Sequence, residues 1–335
     1  MKWIWLVVLL VAVSGCSPKK EDKTVTVYVS EDQVFSEPIL KAFEKETGIH
    51  VNALYDTEES KSTGVMNRLI AEKENPRADV YWANEPIRAE VLRQKGLLTP
   101  YQSPNSQGIP DIFVQKEYYW TGFSARVRLF LVNDSLKDIQ PESILSYTDE
   151  LFKAKAVIAN PLFGTTTAHI AALFTLWGEE KAKQFLEDMK KNEVAISTSN
   201  GESADLVAKS EYLFALVDSD DAVSRIRQKK PVYIVYPDQK EDQPGAFVVP
   251  NAVMMIKGAP HPTAAKKLID YLLSKETERK LALADCAQIP LHEGVETPKE
   301  LKPMHEIKVM QVDYAEVAKK LVEIQPYLKN WLENK

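Results

Sequence analysis

The sequence contains only two cysteines, Cys16 and Cys286, among 335 residues. If Cys16 has another purpose, Cys286 has no partner, so disulfides do not hold the fold together and a large apolar core must stabilise it. Apolar residues make up 44% of the chain, which is enough for such a core. Because single cores stop growing at about 250–300 residues, we expect two lobes.

A basic charge balance and the sequence signatures of common enzymes are lacking as well. The formal net charge is −6 and no basic patch is present, which argues against nucleic acid as a partner. Beyond the N-terminal segment, no apolar run approaches the roughly 20 residues of a transmembrane helix. The five histidines lack metal-ligand spacing. No nucleophile elbow, His-Glu-x-x-His or phosphate-binding P-loop occurs.

The N-terminus carries an export signal. Lys2 precedes an almost wholly apolar segment, residues 3–13, and the small residues Ser14 and Gly15 precede Cys16. This order is typical of a secretory signal. The sequence VSGC at 13–16 resembles a bacterial lipobox, which implies removal of residues 1–15 and diacylation of Cys16. The alternative is a plain cleaved signal with an incidental cysteine.

The lipobox resemblance implies a protein anchored to the cell membrane by lipid and facing the periplasm or the cell exterior. Residues 16–23 contain the lipidated cysteine and a charged segment without further apolar residues, which is typical of a solvated tether. All folded structure is then expected after residue 23.

The rest of the chain alternates between strand and helix patterns. The first part predicts strands at 24–29, 49–55 and 78–82, and helices from about 36 to 48, at 62–74 and at 87–94. A second part predicts strands at 156–159, 194–196, 212–217 and 232–236, and helices at 166–177, 179–191 and 203–209. Helices at 264–273, 275–284 and 314–332 follow. This alternation is typical of α/β lobes with mainly parallel sheets.

Two long extended stretches, residues 122–133 and 246–256, separate these parts. They predict two extended hinge crossings between two α/β sandwich lobes, with the chain returning to the first lobe. Lobe 1 is expected to comprise residues 24–125 plus 254–335. Lobe 2, with the hinge strands, is expected to comprise residues 126–253.

Ten short segments together resemble the ferric-ion-type family of solute-binding proteins, and they occur in the family's order. They are VTVYVS (25–30), LKAFEKETGI (40–49), RLIAE (68–72), NP (75–76), ADVYW (78–82), ANP (159–161), GTT (164–166), ALVDSDDA (215–222), GAPHP (258–262) and AAKKLIDYL (264–272). The resemblance spans most of residues 24–290. It implies a type II periplasmic-binding-protein-like fold.

The family resemblance also implies a function. Members are not enzymes: they bind ferric iron, phosphonates or phosphorylated sugars between two lobes and deliver them to the permease of an ATP-driven (ABC) importer. The expected partners are therefore a small ligand, that permease and the membrane, and we expect a monomer. No cofactor is expected, although a ferric ion is a possible cargo.

Candidate ligand residues in lobe 2 lie where predicted strands end. Thr165 and Thr166 open a helix, and Asn200 and Gly201 lie at the start of another. Helix starts with hydroxyl side chains form anion sites, and ligands of open α/β sheets bind beyond the carboxyl ends of strands. Simple helix capping is the alternative for both loops.

Charged candidates flank these loops. Arg126, which shares a strand face with Arg128, could bind a phosphate or carboxylate with two hydrogen bonds, or could form an ordinary salt bridge. Asp218 and Asp220 follow a strand and could bind a metal, an amine or sugar hydroxyls, or cap a helix. The expected rim contacts from lobe 1 are Ser30, Glu31, Ser62, Thr63 and Glu85.

These candidates favour a phosphonate or phosphate-ester anion as ligand. Ferric iron, held by carboxylates and tyrosines, is the alternative. Iron-binding members have adjacent tyrosines after a strand of the second lobe, and here that position reads VDSDD at 217–221. A surface hydrolase using Asp218 with Asp220 or Glu202 is an alternative of another class. A structural lipoprotein with a vestigial cleft is a third.

Overall fold

The computed structural model describes residues 22–56 and 63–334. The proposed signal, the lipidation site Cys16 and the rim candidate Ser62 lie outside the described residues. Within the described ranges, no helix is both long enough and apolar enough to cross a membrane.

The described residues form one mixed sheet and the helices that cover it. The strands are β1 Thr24–Val29, β2 His50–Tyr55, β3 Val80–Ala83, β4 Leu98–Thr99, β5 Thr121–Asn133, β6 Ala156–Ala159, β7 Ala195–Ser197, β8 Phe214–Asp218, β9 Val232–Val235 and β10 Val248–Ile256. The helices are α1 Gln33–Thr47, α2 Thr63–Ala71, α3 Pro86–Gln94, α4 Gly164–Trp177, α5 Glu179–Lys191, α6 Asn200–Ala208, α7 Ser219–Arg227, α8 Pro262–Leu272, α9 Lys275–Leu283 and α10 Tyr314–Glu333.

The strand order is β2-β1-β3-β10-β5-β8-β6-β7, with β4 on β10 and β9 on β5. Strands β1, β2 and β3 pair in parallel, as do β6, β7 and β8, whereas β5 and β10 are antiparallel to their neighbours. The predicted α/β class with two long crossing strands is therefore confirmed.

Helix α1 shows how the pattern of the sequence produces an element. Its apolar residues Ile39, Leu40 and Phe43 are buried against the sheet, and Gly48 ends the helix with a φ of 70°. A positive φ costs a glycine least, because it has no Cβ. The helix begins at Gln33, one turn before the predicted start, since Pro38 is tolerated inside it.

Helix α7 was not predicted as an element. Its sequence, SDDAVSRIR, is mostly polar, and only Ala222 and Val223 of its apolar residues are buried. So short an apolar stripe gives little periodic signal. Helix α6 also begins earlier than predicted, at Asn200, and α2 ends earlier, at Ala71.

The pairing between the two crossing strands, β5 and β10, is irregular. The register between β5 and β10 shifts at Pro250 and Asn251, so that Ser124 becomes an extra residue on β5 with a φ of 39°. Such β-bulges bend a strand locally. A later segment accompanies the crossings, because Ile289 bridges to Ala125 and Val309 bridges to Ala246.

Helix α10 packs on both halves of the molecule. Near its start, Tyr314 contacts the ring of Trp120, and near its end Tyr327 contacts Phe174 of α4, both at centroid distances of 6.0 Å. The predicted division into residues 24–125 plus 254–335 and 126–253 remains a prediction. A helix that the division assigns wholly to lobe 1 thus also contacts lobe 2.

We predict that Gly245→Ala destabilises the protein far more than Gly294→Ala. Both glycines have a positive φ, 90° and 81°, which costs an L-residue about 1–2 kcal/mol. Only at Gly245 would the new Cβ lie 2.6 Å from the carbonyl oxygen of Lys308, whereas nothing lies within 4 Å at Gly294. Urea unfolding of both variants measures the difference, and equal losses would contradict the tight backbone contact.

Candidate ligand-binding cleft

The polar loops of both lobes begin where the parallel strands end. In lobe 1, Ser30 follows β1 and Asn84 follows β3; in lobe 2, Asn200 follows β7 and Asp218 closes β8. Ligands of open α/β sheets bind at such carboxyl ends. The loops of the two lobes are connected through a side chain on β5, Arg126.

Arg126 joins the two lobes electrostatically. Its Nη2 donates a hydrogen bond to the carbonyl oxygen of Asn84 in lobe 1. Burial acts to lower its pKa, but the carboxylates of Asp218, Asp220, Glu31 and Asp32 outweigh burial and raise the pKa above its usual value. The guanidinium therefore lies among acidic groups that come from both lobes.

Arg128 organises the loops of lobe 2. It is fully buried, and its terminal nitrogens donate to oxygens from three successive loops. The acceptors are Asp218 Oδ1 (3.1 Å), Asn200 Oδ1 (2.8 Å), Thr165 Oγ1 (3.2 Å), Thr166 Oγ1 (3.1 Å) and the carbonyl of Leu216 (3.1 Å). One buried charge therefore fixes the relative positions of these loops.

The acceptors of Arg128 also bind one another. Asp218 Oδ2 accepts hydrogen bonds from Thr165 Oγ1 at 2.8 Å and from Asn200 Nδ2 at 3.3 Å. Thr165 Oγ1 in turn accepts from Asn200 Nδ2 at 3.0 Å. The structure thus brings four predicted site residues, Thr165, Thr166, Asn200 and Asp218, into one network. Much of their hydrogen-bonding capacity is used inside the protein.

The other lobe 2 candidates lie beside this network. The Gly201 carbonyl accepts a hydrogen bond from Arg225 Nη2 at 2.8 Å. Asp220 and Asp221, in the first turn of α7, form with Asp218 a group whose carboxylate oxygens lie within 4.8 Å of one another. Asp220 Oδ1 is buried and has no hydrogen-bond partner among the described residues.

Crowding of these carboxylates changes their acidity. Burial raises the pKa of Asp220 to about 6; Asp218 contributes to the rise and Arg126 opposes it. Burial and the charges of Asp220 and Asp218 also raise the pKa of Asp221 well above its usual value, against the effect of Arg225. A cation placed here would stabilise the ionised forms.

The start of α4 offers the opposite polarity. No side chain of the described residues caps this helix, whose N-cap position is occupied by the exposed Phe163. By contrast, Ser199 caps α6 by accepting a hydrogen bond from the N–H of Glu202 at 3.1 Å. Uncapped N–H groups and the positive end of the helix dipole attract anions. The first turn of α4, Gly164–Thr166, therefore suits an anionic group.

The lobe 1 candidates are mostly engaged in local structure. Ser30 Oγ donates to Asp56 Oδ2 at 3.0 Å and lies 2.9 Å from the hydroxyl of Tyr81. Glu85 caps α3 by accepting from the N–H groups of its first turn. Glu31 is buried beside Arg126. Thr63 begins α2, and Ser62 lies outside the described residues.

The two parallel half-sheets, the antiparallel crossings and the facing polar loops define a two-lobed α/β binding protein. Residues 39–309 match the family described as bacterial extracellular solute-binding protein. The chain belongs to this family of bacterial extracellular solute-binding proteins, and the family expected from the sequence is confirmed.

Two relatives are similar over most of the chain. The putative 2-aminoethylphosphonate-binding periplasmic protein of Salmonella typhimurium is 26% identical over 289 residues, which cover 84% of this chain and 83% of the relative. The major ferric iron-binding protein of Neisseria meningitidis serogroup B is 24% identical over 327 residues, which cover 93% of each protein. Relatives over this length thus differ in the ligands that their names give.

Solved structures confirm the fold. Iron-bound HitA from Pseudomonas aeruginosa has a TM-score of 0.79 at 22% identity, covering 91% of this chain and 99% of HitA. AfuA from Actinobacillus pleuropneumoniae, with fructose-6-phosphate bound, has a TM-score of 0.72 at 24% identity, covering 93% and 98%. At these identities the likeness establishes the two-lobed fold alone.

We predict that Arg128→Met destabilises the protein by about 3–5 kcal/mol, because it leaves the buried Asp218 carboxylate without its charge partner. The matched control is Arg279→Met, which removes an exposed ion pair with Glu276 at 2.9 Å and should cost no more than about 1 kcal/mol. Chemical denaturation of both variants measures the difference. A loss at Arg128 as small as that at Arg279 would contradict the organising role.

Proposed function

We propose that the protein captures a small solute carrying both a phosphonate or phosphate-ester group and an amine, and delivers it to the permease of an ATP-driven importer. The observation that carries this proposal is the bipolar cleft. An uncapped helix start and a group of three carboxylates lie on adjacent loops of lobe 2, joined by the Arg128 network.

The anionic end of the solute is assigned to the start of α4. The N–H groups of the first turn are not capped by a side chain, and the buried guanidinium of Arg128 lies directly behind Thr165 and Thr166. A phosphonate placed there accepts backbone hydrogen bonds and interacts with both the dipole and the guanidinium. The AfuA structure with fructose-6-phosphate, a phosphate ester, supports this class of ligand.

The cationic end is assigned to Asp220 and Asp221. Burial raises the pKa of both carboxyl groups although Arg126 and Arg225 oppose the rise, so their ionised forms would be stabilised by a further cation. An ammonium group would supply one and form a hydrogen bond with the unpartnered Asp220 Oδ1. The similarity to the putative 2-aminoethylphosphonate-binding protein supports a solute with both groups.

Ferric iron is the second candidate, and the group Asp218, Asp220 and Asp221 favours it because hard cations prefer carboxylate oxygens. The similarity to the ferric iron-binding protein of Neisseria meningitidis supports it as well. A phenolate ligand is disfavoured at Tyr81, next to Ser30, because burial raises the pKa of this tyrosine. We therefore place iron second.

The proposed function is binding and delivery rather than catalysis, and it places the protein outside the cytoplasm. Closure of two lobes on a ligand takes its free energy from the higher affinity of the closed state. A lipid on Cys16 would confine the protein near its permease and raise the effective concentration of each for the other. The periplasmic relatives and the export signal support this location.

We predict that 2-aminoethylphosphonate binds and that its affinity falls as the pH is lowered from 8 to 5. The pKa of Asp220 is raised to about 6, so its carboxylate is ionised above this pH and loses its attraction for an ammonium group below it. Asp220→Asn should weaken binding at pH 8 about tenfold, equivalent to about 1.4 kcal/mol, and flatten the pH dependence. Isothermal titration calorimetry measures both effects.

Two comparisons isolate this prediction. Ethylphosphonate shares the phosphonate titration but lacks the amine, so its affinity should be weaker and insensitive to Asp220→Asn. Asp242→Asn removes an exposed carboxylate of lobe 2 and should change nothing. If 2-aminoethylphosphonate does not bind while ferric citrate raises the melting temperature, the second candidate replaces the first.

We predict that Cys16→Ala releases the protein from the membrane fraction and abolishes incorporation of labelled palmitate, because the acylated thiol is the only proposed anchor. Cell fractionation with immunoblotting measures the release. The matched control is Cys286→Ala, since Cys286 is buried and should leave the protein anchored. Continued incorporation of labelled palmitate by the Cys16 variant would contradict lipid anchoring at this residue.

A further inference from the structure

A buried ion pair lies at the bulge of the first crossing strand. Glu278 of α9 is fully buried, and its carboxylate accepts a hydrogen bond from the N–H of Ser124, the bulge residue, at 2.8 Å. It also accepts from the N–H groups of Leu291 at 2.9 Å and His292 at 3.0 Å. The ring Nδ1 of His292 lies 2.8 Å from the same carboxylate.

The geometry fixes the protonation state of His292. Its Nε2 lies 3.0 Å from the carbonyl oxygen of Asn105, an acceptor only, so Nε2 must carry a proton. Both carboxylate oxygens of Glu278 already accept hydrogen bonds from backbone N–H groups, so the carboxylate faces Nδ1 as an acceptor. The Nδ1 facing that carboxylate must then carry a proton too. His292 is therefore an imidazolium, buried and hydrogen-bonded at both nitrogens.

We propose that the His292–Glu278 pair is a pH-sensitive restraint on the hinge, which is formed by the crossing strands at the bulge of β5. We call this restraint the pin. The pair ties four chain segments together: α9, the bulge of β5, the segment at 289–292 and the loop at Asn105. Loss of the proton from His292 forces it to give up one of its two ring hydrogen bonds and leaves Glu278 without its charge partner. The bulge at Ser124 then loses rigidity, and the distribution of lobe openings changes.

The charges around the pair set the direction of this effect. Burial acts to lower the pKa of His292, but the hydrogen bond and charge of Glu278 and the carbonyl of Asn105 outweigh it and raise the pKa above its usual value, against the effect of Lys275. The pair's contribution to stability is therefore complete below the ordinary histidine pKa of about 6.5 and is lost as the pH rises through the raised value. An extracytoplasmic protein experiences the pH of its surroundings, so the protonation of His292 would make the rigidity of the hinge respond to external pH.

The hinge is tested by measuring the distance between lobes without ligand. Spin labels at Lys45→Cys in α1 and Lys209→Cys after α6, both exposed positions, report this distance by pulsed electron resonance. Cys286 does not compete for the label, because it is buried and burial raises its thiol pKa. The mature protein is expected to show a narrow distance distribution at pH 6 and a shifted or broader one at pH 9.

His292→Gln is expected to show the broad distribution at both pH values. The matched control is His261→Gln, because His261 also pairs with a fully buried carboxylate, Asp79 at 3.0 Å, but lies away from the bulge. This control should keep the pH dependence. Glu278→Gln, which keeps the size of the side chain, carries the same expectation as His292→Gln and serves if the latter does not fold.

Three outcomes overturn the pin: no pH dependence in the parent protein, an unchanged pH dependence in His292→Gln, or its loss in His261→Gln. The effect on capture rests on the proposed function, so the affinity for 2-aminoethylphosphonate is measured at pH 6 and pH 9 in the parent and His292→Gln proteins. A pH-dependent affinity ratio that His292→Gln reduces several-fold supports coupling. Failure of this compound to bind contradicts the proposed ligand, while the distance measurement still decides the pin.

Discussion

Arg128 carries a positive charge that the fold removes completely from water, and its two terminal nitrogens find oxygen partners within the protein. The three loops that follow β6, β7 and β8 supply these partners through Thr165, Asn200 and Asp218. Each loop leads into a helix, and the start of each helix faces the cleft. The relative positions of these three loops therefore depend on the hydrogen bonds of one guanidinium.

This arrangement divides the acidic and hydroxyl groups by role. Asp218 and Thr165 form hydrogen bonds with Arg128, with Asn200 and with each other, so they act mainly by holding the loops in place. Asp220, two residues further along, has one carboxylate oxygen without a hydrogen-bond partner among the described residues. Such a division lets a rigid frame present a few uncompensated groups, and preorganised groups bind without the cost of ordering them.

Much of this could be predicted from the sequence, and the reasons are physical. Periodic apolar spacing in strands and in helices α1, α4 and α5 predicted the elements of an α/β fold, because burial of one face leaves such a pattern. The chain length and the two long extended stretches predicted two lobes. The sequence of α7 is too short and too polar to show such a periodic pattern. The sequence also predicted that the loops of Thr165 and Asn200 and the residue Asp218 lie at strand ends, because the order of strands and helices alone determines this position.

Side-chain connections could not be predicted in the same way. Arg126 and Arg128 lie two residues apart on one face, and period-two spacing cannot tell which of them reaches the cleft and which is buried among loops. The available signal for a buried arginine was the position of Arg128 within the apolar run VRLFLV at 127–132. A buried arginine needs polar partners, and these come from distant parts of the chain. The pairing of Glu278 with Ser124, 154 positions apart, left no such signal.

Helix α10 and strand β10 also determine how the chain must be assembled. Lobe 2 lies in one continuous stretch of sequence, whereas the lobe 1 sheet is incomplete until β10 inserts between β3 and β5. Helix α10, which packs on both halves of the molecule, follows β10 in the sequence. Contacts between segments far apart in sequence form slowly, because the chain loses the entropy of loop closure before these contacts stabilise it. Strands β6, β7 and β8 are thus able to pair with one another before β10 and α10 join the two halves of the sheet.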